Sequence, residues 1–399
     1  MLTSFRVENF KTITRSEEAG EPLQFSNINV LIGPNGAGKT TLLQAIDFLR
    51  AFFGGSIDEY LKDRGWSYDD IPNLRQSRKK ISWRAAFNIP PNRDMKWGGI
   101  YELDISIVKR RYLNVGHEGL TYRLDSNSKL LPLISRKGRD THLKSGGIDG
   151  TEHYSFHQLP SSVATYIERS PDDEKKFPEI VHFLRYIKDI RLASIFDVEQ
   201  LRLPAIGYAE EIGPKGQNLV PFLAQLQAKH SERFDRIRKD AIRIFDNISD
   251  FTVKGHASAA APKTLEVAEG KTLYNSSQVS DGFLRVLAVI ALHYAPNPPS
   301  ILLFEEPENG VHPRLMSRMV SLFRDMASRK APAPTQVFLT THSPYLLDEF
   351  HDHPEQVTTV RRRGPGQPAE FIRLDHLFPN GLPDEPLGES WYGNRFLDA

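Results

Sequence analysis

The sequence predicts an α/β fold with a mixed, largely parallel central sheet, an antiparallel β subdomain and a helical insertion. Three patterns predict it. Residues 29–43, NVLIGPNGAGKTTLL, run from an apolar strand through a glycine-rich loop into helical spacing. Residues 80–124 hold four runs of strand character joined by Asn, Gly and charged turns, the pattern of an antiparallel meander. Residues 281–340 alternate helix with buried strand, which builds the second half of a sheet whose first half holds the glycine-rich loop.

The loop Gly33-Pro34-Asn35-Gly36-Ala37-Gly38-Lys39-Thr40 has the spacing of a phosphate-binding loop, in the strand-loop-helix setting that such a loop needs. Its glycines let the backbone bring N–H groups against phosphate oxygens, and the open N-terminus of the following helix adds to that anion site. Lys39 can set an ammonium between the β- and γ-phosphates. The Thr40 hydroxyl can ligate the Mg²⁺ that bridges them. The nucleotide-contacting set is therefore Gly33, Asn35, Gly36, Ala37, Gly38, Lys39, Thr40 and Thr41, and Mg-ATP or Mg-GTP answers to it. A plain surface turn rich in glycine is the weaker reading, given the strand before and the helix after.

With 399 residues, 39% hydrophobic and 25% charged, the chain is globular in composition and long enough for two or three packed units. Lys+Arg 51 against Asp+Glu 50 gives a net charge of +1, so contact with DNA or RNA requires local basic patches. The absence of cysteine removes disulfides, thiolate nucleophiles and Cys-based zinc sites, and fits a reducing compartment. The N-terminus alternates like a strand and lacks the apolar core of a signal peptide, and the longest apolar run, near 286–292, is too short to span a bilayer. A cytoplasmic protein with no membrane partner is the expectation.

Residues 1–135 read as an N-terminal lobe, with two strands (2–10 and 24–32), the phosphate loop, its helix at 40–53 and the meander at 80–89, 100–108, 112–115 and 120–124. Asn9 or Lys11 beside the nucleotide, and an ordinary sheet strand there, are equally open. Basic residues cluster at Arg75, Arg78, Lys79 and Lys80, at Lys109, Arg110 and Arg111, and at Arg136, Lys137 and Arg139. Solvated strand faces explain such clusters more often than DNA does. Residues 136–250 read as a loop (136–151) followed by a helical insertion, with helices at 162–168 and 175–188 and an amphipathic helix or helix pair at 218–248. Residues 251–378 form a C-terminal lobe and 379–399 a tail that folds back or docks a partner.

Three distant motifs complete the candidate site. The apolar strand at 301–304 ends in Glu305-Glu306-Pro307-Glu308, and ligands bind at the carboxyl ends of strands in open α/β sheets. Glu305 suits the metal and Glu306 a general base that polarises the attacking water; Glu308 has no assigned role. Ser280-Asp281-Gly282 opens a helix, where Ser280 serves as an N-cap and, with the Gly282 N–H, as a second anion site. Two helix ends on opposite sides of one triphosphate imply two copies of the chain. Thr340-Thr341-His342-Ser343-Pro344 follows a buried strand, and His342 there can hydrogen-bond a γ-phosphate oxygen.

These four motifs in this order resemble the ABC-type ATPases of the SMC, RecF and OLD kind. GPNGAGKTT is similar to their Walker A, VSDGF to their signature, LLFEEPENGVHP to their Walker B with its following loop, and TTHSP to their switch histidine. The resemblance covers the chain to about residue 53 and residues 275–347. It implies an ABC-type ATPase head whose cofactors are ATP and Mg²⁺, with Lys39, Glu306 and His342 catalytic, Thr40 and Glu305 on the metal, and Ser280 and Gly282 reaching the nucleotide of a second subunit. Glu305 stands where many relatives have Asp, and Asp281 where the usual signature has its first Gly. The glutamine that senses Mg²⁺ in relatives has two candidates here, Gln200 and Gln217. Too little chain follows His342 for the nuclease domain that OLD proteins append, so no built-in nuclease is expected. The implied function is a slow ATPase that forms a homodimer around ATP and serves a separate, nuclease-like effector in anti-phage defence or DNA repair. A RecF-like DNA clamp and an ATP-bound scaffold with negligible hydrolysis are the alternatives.

Overall fold

Alternating polar and apolar residues, as in Lys80–Ile89, pleat one row of side chains toward the core, and there Ile81, Trp83, Ala85, Phe87 and Ile89 are buried. In a computed structural model this strand lies within an antiparallel sheet of ten strands, counted among the described residues. The structure describes every residue except 78–79, 92–97, 110–111, 146–151, 156–160, 170, 195, 256–261, 331–332, 365–366 and 399. The chain divides into two units, Met1–Ile190 with Glu355–Asn380, and Arg191–Pro354 with Gly381–Ala399.

In the first unit the large sheet runs, in spatial order, Glu152–Ser155, Asp140–Leu143, Leu131–Lys137, Leu113–Arg123, Gly99–Lys109, Lys80–Ile89, Leu2–Phe10, Glu21–Gln24 and Glu17–Glu18, with Ile13–Arg15 paired to Leu2–Phe10. The helix Lys39–Gly54 packs on its apolar face. Trp83 stacks on Phe48 with ring centroids 5.1 Å apart and planes at 8°, while its indole N–H donates to the Ala45 carbonyl at 3.2 Å. One aromatic side chain thus fixes both the height and the rotation of the phosphate-loop helix. Beside it, Phe183 of the helix Pro178–Lys188 meets Phe53 and Phe87 at 5.2 and 5.5 Å. A second sheet in this unit is mixed: Ile28–Ile32, buried throughout, runs parallel to Val357–Arg361, which pairs antiparallel with Glu370–Arg373.

Two expectations for this unit need correction. The runs at 112–115 and 120–124 are one strand, Leu113–Arg123, because a register shift at Ser106/Ile107 takes up Gly116 as an extra residue within the stretch that reads as a turn. The stretch read as a loop from 136 begins instead in strands, Leu131–Lys137 and Asp140–Leu143; its residues 146–151 lie outside the described residues. Arg136 explains the first strand. Its guanidinium, 2% exposed, lies 3.6 Å from the Glu118 carboxylate and donates to the Ser161 carbonyl at 3.1 Å, and an arginine bonded in this way belongs to the core.

In the second unit Ile301–Glu305 and Gln336–Thr341 pair in parallel, Glu305 opposite Thr340, with the helices Asp281–His293 and Met316–Ser328 in the βα alternation the sequence predicts. A smaller antiparallel sheet joins Asp250–Lys254, Pro262–Glu269, Thr272–Asn275 and Ala205–Ile206. The insertion is a helix pair, Leu219–Lys229 and Ser231–Ile244. From the first of these helices Gln227 closes a sheet edge, donating to the Val253 carbonyl at 3.1 Å and accepting from the Val253 N–H at 2.9 Å. The tail folds back: in the helix Leu387–Tyr392 the Gly388 N–H donates to Asp348 at 2.7 Å. Among the described residues no helix is long and apolar enough to cross a membrane.

Truncating Trp83 removes the stack, the edge contacts and the indole hydrogen bond together. Trp83→Ala should destabilise the protein by about 3–5 kcal/mol in urea unfolding, with Trp83→Phe losing less than half of that.

Candidate nucleotide-binding and hydrolysis residues

The phosphate loop leaves the buried strand at Gly33. A Cβ there would stand 2.0 Å from the Val360 carbonyl oxygen, so the closeness of the neighbouring strand dictates glycine. The helix Lys39–Gly54 starts at Gly38 with no side-chain cap and no acid in its first turn. Neither a capping side chain nor a nearby acid offsets the positive end of its dipole, which is what an anion site requires. Lys39 is 6% exposed and its ammonium donates to the carbonyls of Gly33 and Pro34 at 2.7 and 3.3 Å, folded over the loop it would share with a phosphate. Asn35, Gly36 and Thr40 are exposed, and Ala37 and Gly38 are buried. Thr41 is buried and its hydroxyl meets that of Thr12 at 2.9 Å, which braces the loop against the first hairpin. Lys11, also in this unit, sits 3.2 Å over the Trp66 ring and donates to Gln44 at 3.1 Å.

In the second unit two parallel strands end side by side in the acidic and histidine motifs. Glu305, half-buried, is the last residue of its strand. Glu306 then turns into the left-handed region at φ 44°, and its N–H donates to the Thr340 carbonyl at 3.0 Å. That turn lays the Glu306 carboxylate 3.6 Å from Nε2 of His342, each side chain a third exposed. A carboxylate beside an imidazole, both open to solvent at strand ends, is equipped to orient a water and to donate to an anion. Glu308, unassigned from sequence, accepts from the Thr341 hydroxyl at 2.6 Å and from the N–H groups of His342 and Ser343 at 3.0 and 3.3 Å. Burial pushes its pKa up, against those hydrogen bonds, and the neighbouring Glu306 charge pushes the same way.

Ser280 caps the helix Asp281–His293, its hydroxyl accepting from the Phe283 N–H at 3.3 Å, and it is exposed. Gly282 lies against the turn that follows the acidic motif; a Cβ there would stand 3.2 Å from the Gly310 carbonyl oxygen. Asp281, an acid where an incoming anion would be opposed, is neutralised by Arg202, which donates to it at 2.6 Å and to the Val279 carbonyl at 2.8 Å. Arg202 went unassigned in the sequence because it lies 79 residues from its partner.

Residues 28–348 match the sequence profile of the family described as "AAA domain, putative AbiEii toxin, Type IV TA system". The chain belongs to this AAA-domain family. Membership carries nucleotide binding and places the chain among the AAA/ABC-type ATPases. Among solved structures it resembles an SMC head bound to the C-winged helix domain of ScpA, with 11% identity and a TM-score of 0.53 over 94% of this chain and 98% of that one. Similarity also extends to the SMC head domain from Thermotoga maritima (12% identity, TM-score 0.43, 93% and 98% covered) and to the Pyrococcus furiosus Smc head with an extended coiled coil (10%, 0.47, 95% and 98%). The first likeness shows the fold. No curated protein matches the chain in sequence.

The sequence of this AAA-family chain offers two glutamines, Gln200 and Gln217, as candidates for sensing Mg²⁺. Gln217 spends its side-chain oxygen on the Lys215 N–H at 2.8 Å, closing its own turn, while Gln200 is half-buried on the helix Val198–Arg202. Of the basic clusters, Arg136 is a core residue and Lys109 is paired with Asp69. Lys80 and Arg75 are exposed, and Arg78, Lys79, Arg110 and Arg111 lie outside the described residues.

Gly33→Ala should abolish ATP binding in a calorimetric titration while Gly36→Ala, whose Cβ would meet nothing within 4 Å, weakens it less. Equal affinities for the two variants would contradict the close approach at Gly33.

Proposed function

We propose that the chain is a magnesium-dependent ATP hydrolase that dimerises around ATP and hands that change of state to a separate effector protein, in anti-phage defence or DNA repair. The carrying observation is the Glu306–His342 pair, 3.6 Å apart at the ends of adjacent parallel strands, in a chain that also holds an uncapped phosphate-loop helix. In this reading Lys39 and the amides of residues 33–41 hold the phosphates, and Glu306 orients the attacking water. His342 donates to the γ-phosphate, and Ser280 with Gly282 cap the nucleotide of the other subunit. Thr40, exposed, and Glu305 offer the hard oxygen donors that Mg²⁺ takes, and the ion would neutralise phosphate charge. The uncapped helix end and the buried Lys39 ammonium are the features of this chain that fit a bound polyphosphate.

A protein partner is supported by the SMC head of like fold, which is bound to a winged-helix domain of ScpA. A nuclease-like effector rests on the sequence resemblance to OLD ATPases. A DNA clamp draws less support, since Arg136 and Lys109 have structural partners.

Glu306→Gln should keep ATP binding, lose hydrolysis by about 100-fold or more, and accumulate as an ATP-bound dimer in light scattering. Unchanged phosphate release in that variant would remove the role given to Glu306, and a monomer at saturating Mg-ATP would remove the dimer.

A further inference from the structure

The motif FEEPE ends in an acid for which the proposed hydrolysis has no chemical step. Glu308 sits on the turn after Pro307, yet three hydrogen bonds to its side chain come from the neighbouring loop. One oxygen takes the Thr341 hydroxyl at 2.6 Å, the His342 N–H at 3.0 Å and the Ser343 N–H at 3.3 Å. The Thr341 hydroxyl in turn accepts from the Ser343 N–H at 2.9 Å. The two backbone groups flanking the His342 side chain are thereby pinned to the loop that carries Glu306. A further tie joins these loops, from the Glu306 N–H to Thr340 at 3.0 Å for the carbonyl and 3.2 Å for the hydroxyl.

This arrangement costs free energy. The other Glu308 oxygen is buried with no hydrogen-bond partner among the described residues. A polar residue that served only to close a turn would be better placed facing water. A carboxylate is an acceptor without donors, so it can gather three donors at one point, which no hydroxyl or amide does as strongly. The consequence is a fixed direction for the 341–343 backbone, and with it the position of the imidazole relative to the Glu306 carboxylate.

We propose that Glu308 is a positioning residue, a brace that holds His342 in register with Glu306 so that water activation and phosphate contact are offered together. The proposal rests on the roles given above to Glu306 and His342. It adds that the two loops form one unit, released or held by a single side chain.

The test compares wild type, Glu308→Ala, Glu308→Gln and Thr341→Val as full chains. Amide hydrogen exchange at His342 and Ser343 should speed up about tenfold or more in Glu308→Ala and stay within about threefold of wild type in Glu308→Gln, whose amide oxygen keeps an acceptor in place. Unchanged exchange in Glu308→Ala overturns the brace, whatever the activity. In ATP turnover, kcat of Glu308→Ala should fall about 10- to 100-fold with ATP affinity within about twofold, and the Gln variant should recover most of it. Glu308→Ala with His342→Ala should lose no more than His342→Ala alone, because both act through one group. Multiplying losses overturn the coupling. Should Glu308→Ala fail to fold, Thr341→Val removes one of the three donors, and its His342 exchange should still rise, an unaltered rate counting against the proposal. A wild-type protein that releases no phosphate would overturn the proposed ATPase and leave the exchange result to decide the brace.

Discussion

The uncapped N-terminus of the helix Lys39–Gly54 is the constraint on which the first unit depends. Four leading amides without helical partners are costly unless something satisfies them, and the Gly38 N-cap brings no side chain to do so. The helix is held in place at other points along its length. Trp83 supplies the hold from below, by a stack on Phe48 and a bond to Ala45, and the Gly33–Val360 approach supplies it at the strand end. Lys39, folded back on the Gly33 and Pro34 carbonyls, keeps its ammonium hydrogen-bonded within that loop. Sequence, packing and chemistry meet in fewer than ten residues.

The second unit is organised by two strand ends. Parallel pairing sets Glu305 opposite Thr340, and on the acidic side the next residue turns away while the other strand runs on through Thr341. Glu306 does so in the left-handed region, a conformation that costs a non-glycine residue about 1 kcal/mol or more and tends to persist at functional sites. The tie from its N–H to Thr340 and the Glu308 brace hold that conformation. The helix Asp281–His293 carries a comparable device, in which Arg202 offsets the Asp281 charge at its N-terminus.

What the sequence shows and what it hides follow from separation along the chain. The phosphate loop, the strand before it and the helix after it are local, so spacing and periodicity are enough to read them. The strand at 301–305 and the turn into Glu306 are read the same way, since an apolar run that ends in acids needs no partner to be recognised. Glu308, Arg202 and Arg136 escape because their meaning lies in groups 33, 79 and 18 or more residues away, and composition alone makes each look like a surface charge. The strand Leu113–Arg123 escapes for a related reason: a stretch of glycines that suggests a turn is carried through with one bulge at Gly116, which the pairing of neighbours reveals. Among the described members of the basic clusters, Arg75 and Lys80 are exposed while Arg136 belongs to the core.

The central claim is that residues 33–41 grip the phosphates of ATP. The most direct measurement is an equilibrium titration of wild type and Lys39→Ala with ATP, ADP and AMP in the presence of magnesium. One ATP bound per wild-type chain, affinity falling as phosphates are removed, and none bound by the variant is the result predicted. Equal binding of ATP and AMP, or undiminished ATP binding by Lys39→Ala, would contradict it.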